Sequence, residues 1–344
     1  MRSDVILDYS LVIPIYNEEE SLPELLNRLR SVMDELDASS EVILVDDRST
    51  DGSFAIMLEA AQQDARFKIV RFARNFGHQL AITAGLDFAG GRAVVVMDGD
   101  LQDPPELILE MAKRWREGYE VVYAIREMRL GDSFFKRTTA SIFYRVLRKL
   151  SGADIPANVG DFRLVDRKVV DAFKEMRESN RYVRGMFSWL GFEQIGVPFT
   201  RAKRFAGKTK YPLRKMVNFA IDGIVGFSQA PLRFVLHLGF ILATLSFLGG
   251  GAAALVKLFG VYAVPGWASL VVITFFLAGV QLIILGVIGE YVAQIHREVK
   301  HRPLYVVDRR IGFPDVPLEG EAAAGQVSRG NVSSIQEQGG RRGG

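Results

Sequence analysis

The stretch Val94-Val95-Val96-Met97-Asp98-Gly99-Asp100-Leu101-Gln102-Asp103-Pro104-Pro105-Glu106 decides how the rest of the chain is read. Its apolar, β-branched start suits a buried strand, and that strand is expected to end in two carboxylates separated by one glycine. Pro-Pro then stops the sheet and can open a helix. Carboxylates at i and i+2 on a strand share a face and can converge on one cation, while the glycine leaves room for a ligand to approach the backbone. Hard oxygen donors of this kind suit Mg2+ or Mn2+, which keep open positions for substrate phosphates. Taken alone, Asp-X-Asp fits a charged turn after a core strand equally well, so its neighbours must decide.

Upstream, Leu11–Ile15 reads as a short strand running into the polar loop Tyr16-Asn17-Glu18-Glu19-Glu20. Ser21 and Glu24 resemble a capping box opening a helix through Leu36. Glu41–Asp47 is a second strand ending in carboxylates, followed by the turn Arg48–Ser53 and a helix through Gln63. Lys68–Phe72 is a third strand, and the loop Ala73–His78 opens a helix over Gln79–Ala89. Strands alternating with helices at this spacing predict an α/β fold with a doubly wound, mostly parallel sheet. Ligands of such sheets bind beyond the carboxyl ends of the strands, which is where Tyr16, Asn17, Glu18, Asp46, Asp47, Asp98 and Asp100 are expected to gather. So many polar groups at one edge favour a site over a coincidence.

Downstream, a helix is expected to Glu117 and a strand over Tyr119–Ala124, ending at Ile125-Arg126. Residues 133–150 form a basic amphipathic pattern suited to a membrane surface or to an ordinary solvated face. Asp161–Val165 is a short strand, with a helix over Asp166–Met176. Arg201, Lys203, Arg204, Lys208 and Lys210 surround Gly207 in a cationic loop suited to polyphosphate.

The chain has 344 residues, room for about two domains. It is 49% hydrophobic and carries a formal net charge of +3. That balance argues against a nucleic-acid partner, and basic residues beside apolar runs point instead to an anionic membrane surface. The absence of cysteine excludes disulfides and thiolate metal sites and fits a reducing compartment. Met1–Ser10 holds Asp4 and Asp8 and has no long apolar core, so no signal peptide is expected. Leu213–Gln229 is amphipathic. Phe234–Val256 and Trp267–Gly289 are almost free of formal charge, and each is long enough to span a bilayer core of ~30 Å. A helical hairpin is therefore expected. Arg297, Lys300, Arg302, Arg309 and Arg310 follow it, and Lys215 and Arg233 precede it, which puts both ends and the catalytic part in the cytoplasm. The Gly/Ser/Gln-rich tail after Leu318 is expected to be disordered.

Together, Pro14-Ile15-Tyr16-Asn17-Glu18, Val45-Asp46-Asp47-Arg48-Ser49-Thr50-Asp51-Gly52-Ser53, Asn75-Phe76-Gly77 and Asp98–Glu106 resemble inverting glycosyltransferase family 2. The chain is most similar to its polyprenyl-phosphate branch: dolichol-phosphate mannose synthases and bacterial undecaprenyl-phosphate glucosyl- and aminoarabinose transferases. The resemblance implies a GT-A catalytic domain over 1–211, an interfacial segment over 212–232, two transmembrane helices within 233–293, and a basic juxtamembrane segment with a disordered tail over 294–344. It implies that Pro14, Tyr16, Glu18, Val45, Asp46 and Asp47 line the nucleoside pocket, and that Asp98, Gly99, Asp100 and Gln102 meet the donor diphosphate. Asp98, Asp100 and Gln102 would hold the Mg2+ or Mn2+. Arg204 and Lys210 would close over the diphosphate. Arg126, Arg137 and Ser141 would bind the lipid phosphate, and Asp161 stands at the position of a catalytic base.

Gly99 replaces a common alanine, and Gly207-Lys208-Thr209-Lys210 replaces Gly-x-Ser-Lys; both changes are small. The chain lacks the Gln-x-x-Arg-Trp motif of processive synthases. The expected partners are a nucleotide sugar (UDP-glucose first), undecaprenyl phosphate or another polyprenyl phosphate, the bilayer of a bacterial inner membrane, and further copies of the chain in a homo-oligomer. The rivals are a same-fold transferase with a hydroxyl acceptor and a catalytically silent, nucleotide-binding partner of a flippase.

Overall fold

A computed structural model describes residues 7–36, 38–126, 159–200, 230–258 and 266–314. In chain order these form β1 (Tyr9–Ile15), α1 (Leu22–Glu35), β2 (Ser40–Asp46), α2 (Ser53–Gln63), β3 (Phe67–Phe72), α3 (His78–Phe88), β4 (Ala93–Val96) and α4 (Leu107–Arg116). Then come β5 (Val121–Arg126), β6 (Val159–Asp166), α5 (Arg167–Glu175), α6 (Val183–Trp189), β7 (Gln194–Phe199), α7 (Ala230–Leu258), α8 (Trp267–Val299) and β8 (Val307–Ile311).

The strands make one sheet in the order β7-β5-β6-β4-β1-β2-β3-β8. Its centre, β4-β1-β2-β3, is parallel as expected. Every residue of β1 and β2 is buried, because helices cover both faces. Leu11, Ile13 and Ile15 of β1 pack with Leu25 and Leu29 of α1, Met57 of α2 and Met111 of α4. Val12, on the opposite face, packs with Ile82 and Leu86 of α3 and Phe173 of α5. The alternation along β1 and the i, i+3, i+4 spacing of Leu22, Leu25, Leu26 and Leu29 on α1 are thus one pattern seen from both sides.

Several local expectations change. β6 runs antiparallel to both β4 and β5, and β8 antiparallel to β3, so the sheet is mixed. Residues 307–311, expected within a juxtamembrane segment, form the edge strand β8. Ser21 does not cap α1 as the capping box requires. Its hydroxyl lies 2.9 Å from Glu18 Oε2 and 3.1 Å from the Gly99 carbonyl, tying the first loop to the metal-motif turn. β4 stops at Val96, so Asp98 and Asp100 occupy the turn beyond the strand. The space beside Gly99 is filled by the protein itself: a Cβ there would sit 2.7 Å from Ile15 Cδ1. That neighbour is the end of a flexible side chain, so an alanine at this position would require only Ile15 to shift.

Helices α7 and α8 pack against one another. At 1.5 Å per residue they are about 44 and 50 Å long. Within the described residues, Phe276–Val299 is long and apolar enough to cross a membrane, and Phe234–Leu245 is a shorter apolar stretch. The expected second span, Trp267–Gly289, lies within α8, which begins at Trp267, and among the described residues a second full-length span is not established. The segment 133–150, the segment 212–229 and the tail after 314 lie outside the described residues.

Candidate active site

The antiparallel register of β4 and β6 builds the site. Val96 stands opposite Arg163, and continuing that register by two residues brings Asp98 opposite Asp161. His78, the first residue of α3, closes the group: its Nε2 lies 3.3 Å from Asp98 Oδ1 and 3.3 Å from Asp161 Oδ2. These three side chains offer ligand atoms all within 4.8 Å of one another. Arg184 of α6 then grips Asp161 with a two-pronged ion pair, Nε to Oδ1 at 2.8 Å and Nη2 to Oδ2 at 3.0 Å. Beneath it, buried Arg163 donates to the carbonyls of Asp161 and Gly160 at 3.3 and 3.0 Å.

The electrostatics of the two aspartates diverge. Burial pushes the Asp98 carboxyl up to about 6, aided by the nearby charges of Asp161, Asp103 and Asp100, although His78 opposes the shift. Burial also acts on Asp161, but the hydrogen bonds and charges of His78 and Arg184 outweigh it and hold that carboxyl far below its ordinary value. His78 responds in kind: burial lowers its pKa, and its two carboxylate partners more than reverse this. Burial pushes the Arg163 guanidinium down to about 10.

Asp98 Oδ1 is buried without a hydrogen bond, and four carboxylates crowd one small volume. Such a site calls for positive charge, so the oxygen donors fit a hard divalent cation.

The nucleoside-pocket candidates divide by role. Pro14 and Val45 are buried strand residues, whereas Tyr16 is 48% exposed at the sheet edge. Asp46 is fully buried. It accepts the Ser49 amide at 2.9 Å and lies 3.1 Å from Arg71 Nε, whose guanidinium stacks on Phe54. Asp47 accepts the amides of Phe76 and Gly77 at 2.6 and 2.9 Å. Burial raises the Asp47 carboxyl and those two amides oppose the rise. Gly77 has φ +100°, a conformation that favours glycine, and it leads directly into α3. The loop carrying Tyr16 and Glu18 is bound to the Asp46-Asp47 loop by Asn17 N to Ser49 Oγ, Thr50 N to Asn17 Oδ1 and Glu18 N to Ser53 Oγ, at 3.1, 2.8 and 2.9 Å.

In the metal motif, Asp100 Oδ1 accepts the Gln102 amide at 3.1 Å, and Gln102 is buried. Arg126, at the end of β5, lies 3.6 Å from Asp103 Oδ2. It crosses Gly160 so closely that a Cβ there would meet Nη2 at 2.7 Å. Arg126 therefore belongs to the same edge as Asp161. Arg137, Ser141, Arg204 and Lys210 lie outside the described residues.

The expected metal set Asp98, Asp100 and Gln102 and the observed cluster His78, Asp98 and Asp161 share only Asp98. Sequence reasoning gave His78 and Arg184 no role. His78 was within reach, because it follows the singled-out Asn75-Phe76-Gly77. Arg184 sits in α6 with no motif around it, and only the fold brings it to Asp161. A separate cleft of about 580 Å3 opens at the opposite end of the sheet, lined by Asp8, Arg92, Trp115, Glu120, Asp166 and Lys168. Its charges already pair, Arg92 with Asp8 and Lys168 with Glu120, and it lies far from the carboxylate cluster.

The model of the family described as Glycosyl transferase family 2 matches residues 10–173. An uncharacterized glycosyltransferase, YkcC of Bacillus subtilis, is 50% identical over 312 residues, 91% of this chain and 97% of the relative. The bactoprenol glucosyl transferase of Shigella phage SfV is 40% identical over 298 residues, 87% of this chain and 97% of the relative. Among solved structures, glucosyl-3-phosphoglycerate synthase of Mycobacterium tuberculosis, in complex with Mn2+, UDP and its product, is 18% identical at a TM-score of 0.43, covering 64% of this chain and 78% of that one. That likeness is too partial to bear on function. The family match and the relatives similar along nearly their whole length place the chain in glycosyltransferase family 2: it is a glycosyltransferase.

Proposed function

We propose that this enzyme transfers glucose from UDP-glucose to the phosphate of a membrane polyprenol, undecaprenyl phosphate, with inversion at the anomeric carbon. The observation that carries this reading is similarity to a bactoprenol glucosyl transferase along 97% of that relative's length. It is joined by a carboxylate cluster at the sheet edge where the fold class binds ligands.

An oxygen of the lipid phosphate attacks C1 of the sugar, and the bond from C1 to the UDP oxygen breaks. UDP leaves with the bonding electrons. Asp98, Asp100 and Gln102, with His78 and Asp161 beside them, are the residues that would hold a divalent cation, Mg2+ or Mn2+. When bound, it supplies Lewis-acid stabilisation of the departing diphosphate. Arg204 and Lys210 would add positive charge against the same departing group. Pro14, Tyr16, Glu18, Val45, Asp46 and Asp47 line the nucleoside pocket, with Gly99 against the donor.

Both Asp161 oxygens are engaged, by Arg184 and by His78. The nucleophile is a phosphate, already largely ionised near neutral pH, its second pKa being about 6. Asp161 therefore acts mainly to orient the acceptor and to stabilise positive charge developing on the sugar, and little as a base. Arg126, Arg137 and Ser141 hold the lipid phosphate through charge-assisted hydrogen bonds.

The membrane part keeps the site at the lipid. Phe240, Leu282 and Ile283 are 69, 70 and 68% exposed, an apolar surface suited to hydrocarbon. After α8 the chain rejoins the catalytic sheet as β8, which supports an even number of crossings, a hairpin of α7 and α8. Both ends then lie on the cytoplasmic side of a bacterial inner membrane, and the exposed helix faces suit packing between protomers of a homo-oligomer.

The test is transfer of radiolabel from UDP-glucose and other nucleotide sugars into undecaprenyl phosphate, in membranes with Mg2+ or Mn2+ and with Asp100→Ala as control. Label in the lipid phase from UDP-glucose alone, absent in the control, is the expected result. No lipid label from any donor, with folded protein that binds UDP, overturns the reading in favour of a hydroxyl acceptor or a silent role.

A further inference from the structure

The segment that leaves α8 does not simply end at the membrane. Glu298 accepts the Ser179 amide and hydroxyl, at 2.9 and 3.1 Å. Tyr305 stacks on Phe72 at 5.2 Å and donates to Asp87 Oδ2 at 2.8 Å. Asp87 is also gripped by both terminal nitrogens of Arg177, at 2.9 and 3.1 Å. Val306 O accepts the Ala73 amide at 2.9 Å. Along β8, Val307 to Ile311 pair with Phe72 to Ile69. Asp308 Oδ2 lies 3.0 Å from Arg48 Nη1, and Phe313 packs on Phe88.

These contacts lead to the donor side of the site. Arg48 directly follows Asp46-Asp47 and has φ +64°, so its loop is held in an uncommon conformation for a non-glycine residue. The same loop carries Ser49, Thr50 and Ser53, which bind Asn17 and Glu18. Phe72, under Tyr305, meets Phe76 edge-on at 5.5 Å, and the Phe76 amide is held by Asp47. Finally, α3 runs from His78 in the cluster to Phe88 at Phe313, with Asp87 one residue earlier.

We propose that the returning segment Glu298–Phe313 is a positioning element of the donor site, acting through Asp308 on the Arg48 loop and through Tyr305 on the Phe72–Phe76 ring pair behind Asp47. The donor pocket is then completed by chain that has first passed through α8, which links nucleotide binding to correct seating of the membrane helices. The location of the donor pocket rests on the function proposed above; the physical coupling between segment and loops does not.

The experiment uses the full chain in lipid nanodiscs, with two readouts that need no turnover: Kd for UDP, and hydrogen exchange of peptides covering 46–53 and 73–78. Asp308→Asn is expected to weaken UDP binding about two- to fivefold, the span of an exposed ion pair, while Asp308→Glu stays near wild type. Tyr305→Ala is expected to speed exchange at the Phe76 and Gly77 amides about tenfold by local opening, with α4 unchanged. Tyr305→Phe keeps the ring and retains most of the protection, so a simple folding failure of Tyr305→Ala is told apart. Unchanged UDP affinity in Asp308→Asn overturns the proposal, and so does unchanged exchange at 73–78 in Tyr305→Ala. A wild type that binds UDP yet labels no lipid sinks the transfer reaction alone and leaves both readouts able to judge the segment.

Discussion

Leu44, at the centre of β2, is fully buried, while Leu282, on α8, is 70% exposed. The same residue type serves opposite ends. In the sheet, apolar side chains face inward and water lies outside; on α7 and α8 exposed ones such as Phe240 and Leu282 face outward, the arrangement that the proposed hydrocarbon surroundings would favour. The polar groups reverse as well. In the sheet, charges are drawn inward to one edge and held by named partners, as Arg184 and His78 hold Asp161. Along Phe276–Val299, ionisable groups are confined to the last turns. The difference teaches that under the membrane seating proposed above the two regions answer to different solvents, and that buried charge such as Asp161 is tolerated where it is paired.

The largest expected effect would break this comparison if it failed. Leu44→Ala should cost about 2–5 kcal/mol of stability, whereas Leu282→Ala should change the thermal midpoint in detergent by little. Equal losses in thermal unfolding would mean that α8 is a buried core helix. Next, Leu282→Arg should disfavour insertion by about 3–4 kcal/mol if this position lies mid-bilayer. The measurement is the carbonate-resistant membrane fraction, and an unaltered fraction would take Leu282 out of the hydrocarbon.

On the catalytic side, Arg184→Lys keeps the charge and loses the two-pronged geometry. Transfer is expected to fall about tenfold, equivalent to about 1.4 kcal/mol, with Kd for UDP unchanged. Loss of UDP affinity instead would move Arg184 to the donor side. The smallest effect concerns Arg28 and Glu106, paired at 2.8 Å on the surface. The hydrogen bond from Arg28 holds the Glu106 carboxyl below its ordinary value, against a smaller opposing effect of burial. Ionised Glu106 therefore favours the folded state above the ordinary carboxyl value, and the benefit is lost as pH falls through the folded one. Glu106→Gln should lower the thermal midpoint slightly at neutral pH, and its difference from wild type should shrink as pH falls below the ordinary carboxyl value and vanish once the folded carboxyl is protonated.

Much of the parallel centre was legible because β1 to β4 are separated by helices with clear apolar spacing. The gathering of Tyr16, Glu18, Asp46, Asp47 and Asp98 at one edge follows from that alternation alone. The direction of β6 was not legible: its apolar pattern reads the same both ways, and the 32 residues between β5 and β6 are long enough to deliver it in either direction. Yet that direction is what sets Asp161 opposite Asp98. β8 was hidden for a different reason. Its sequence, Val307-Asp308-Arg309-Arg310-Ile311, is an edge strand whose exposed face carries charge, and beside a membrane helix such a run reads as juxtamembrane anchor. Arg184 owes its role to a partner distant in sequence, which no local pattern records, whereas His78 adjoins a legible motif and only its partners were hidden.

Because β8 is the last strand among the described residues, β3 leaves the ribosome long before the strand that covers its open edge. The whole of α7 and α8 is synthesised in between. An unprotected edge strand invites pairing with the wrong chain, so under the membrane seating proposed above the helices would be inserted before the sheet can close. On that reading, completion of the catalytic sheet would be timed by delivery to the membrane, and a chain released before its helices are in place would carry both an unfinished sheet and an exposed apolar pair of helices.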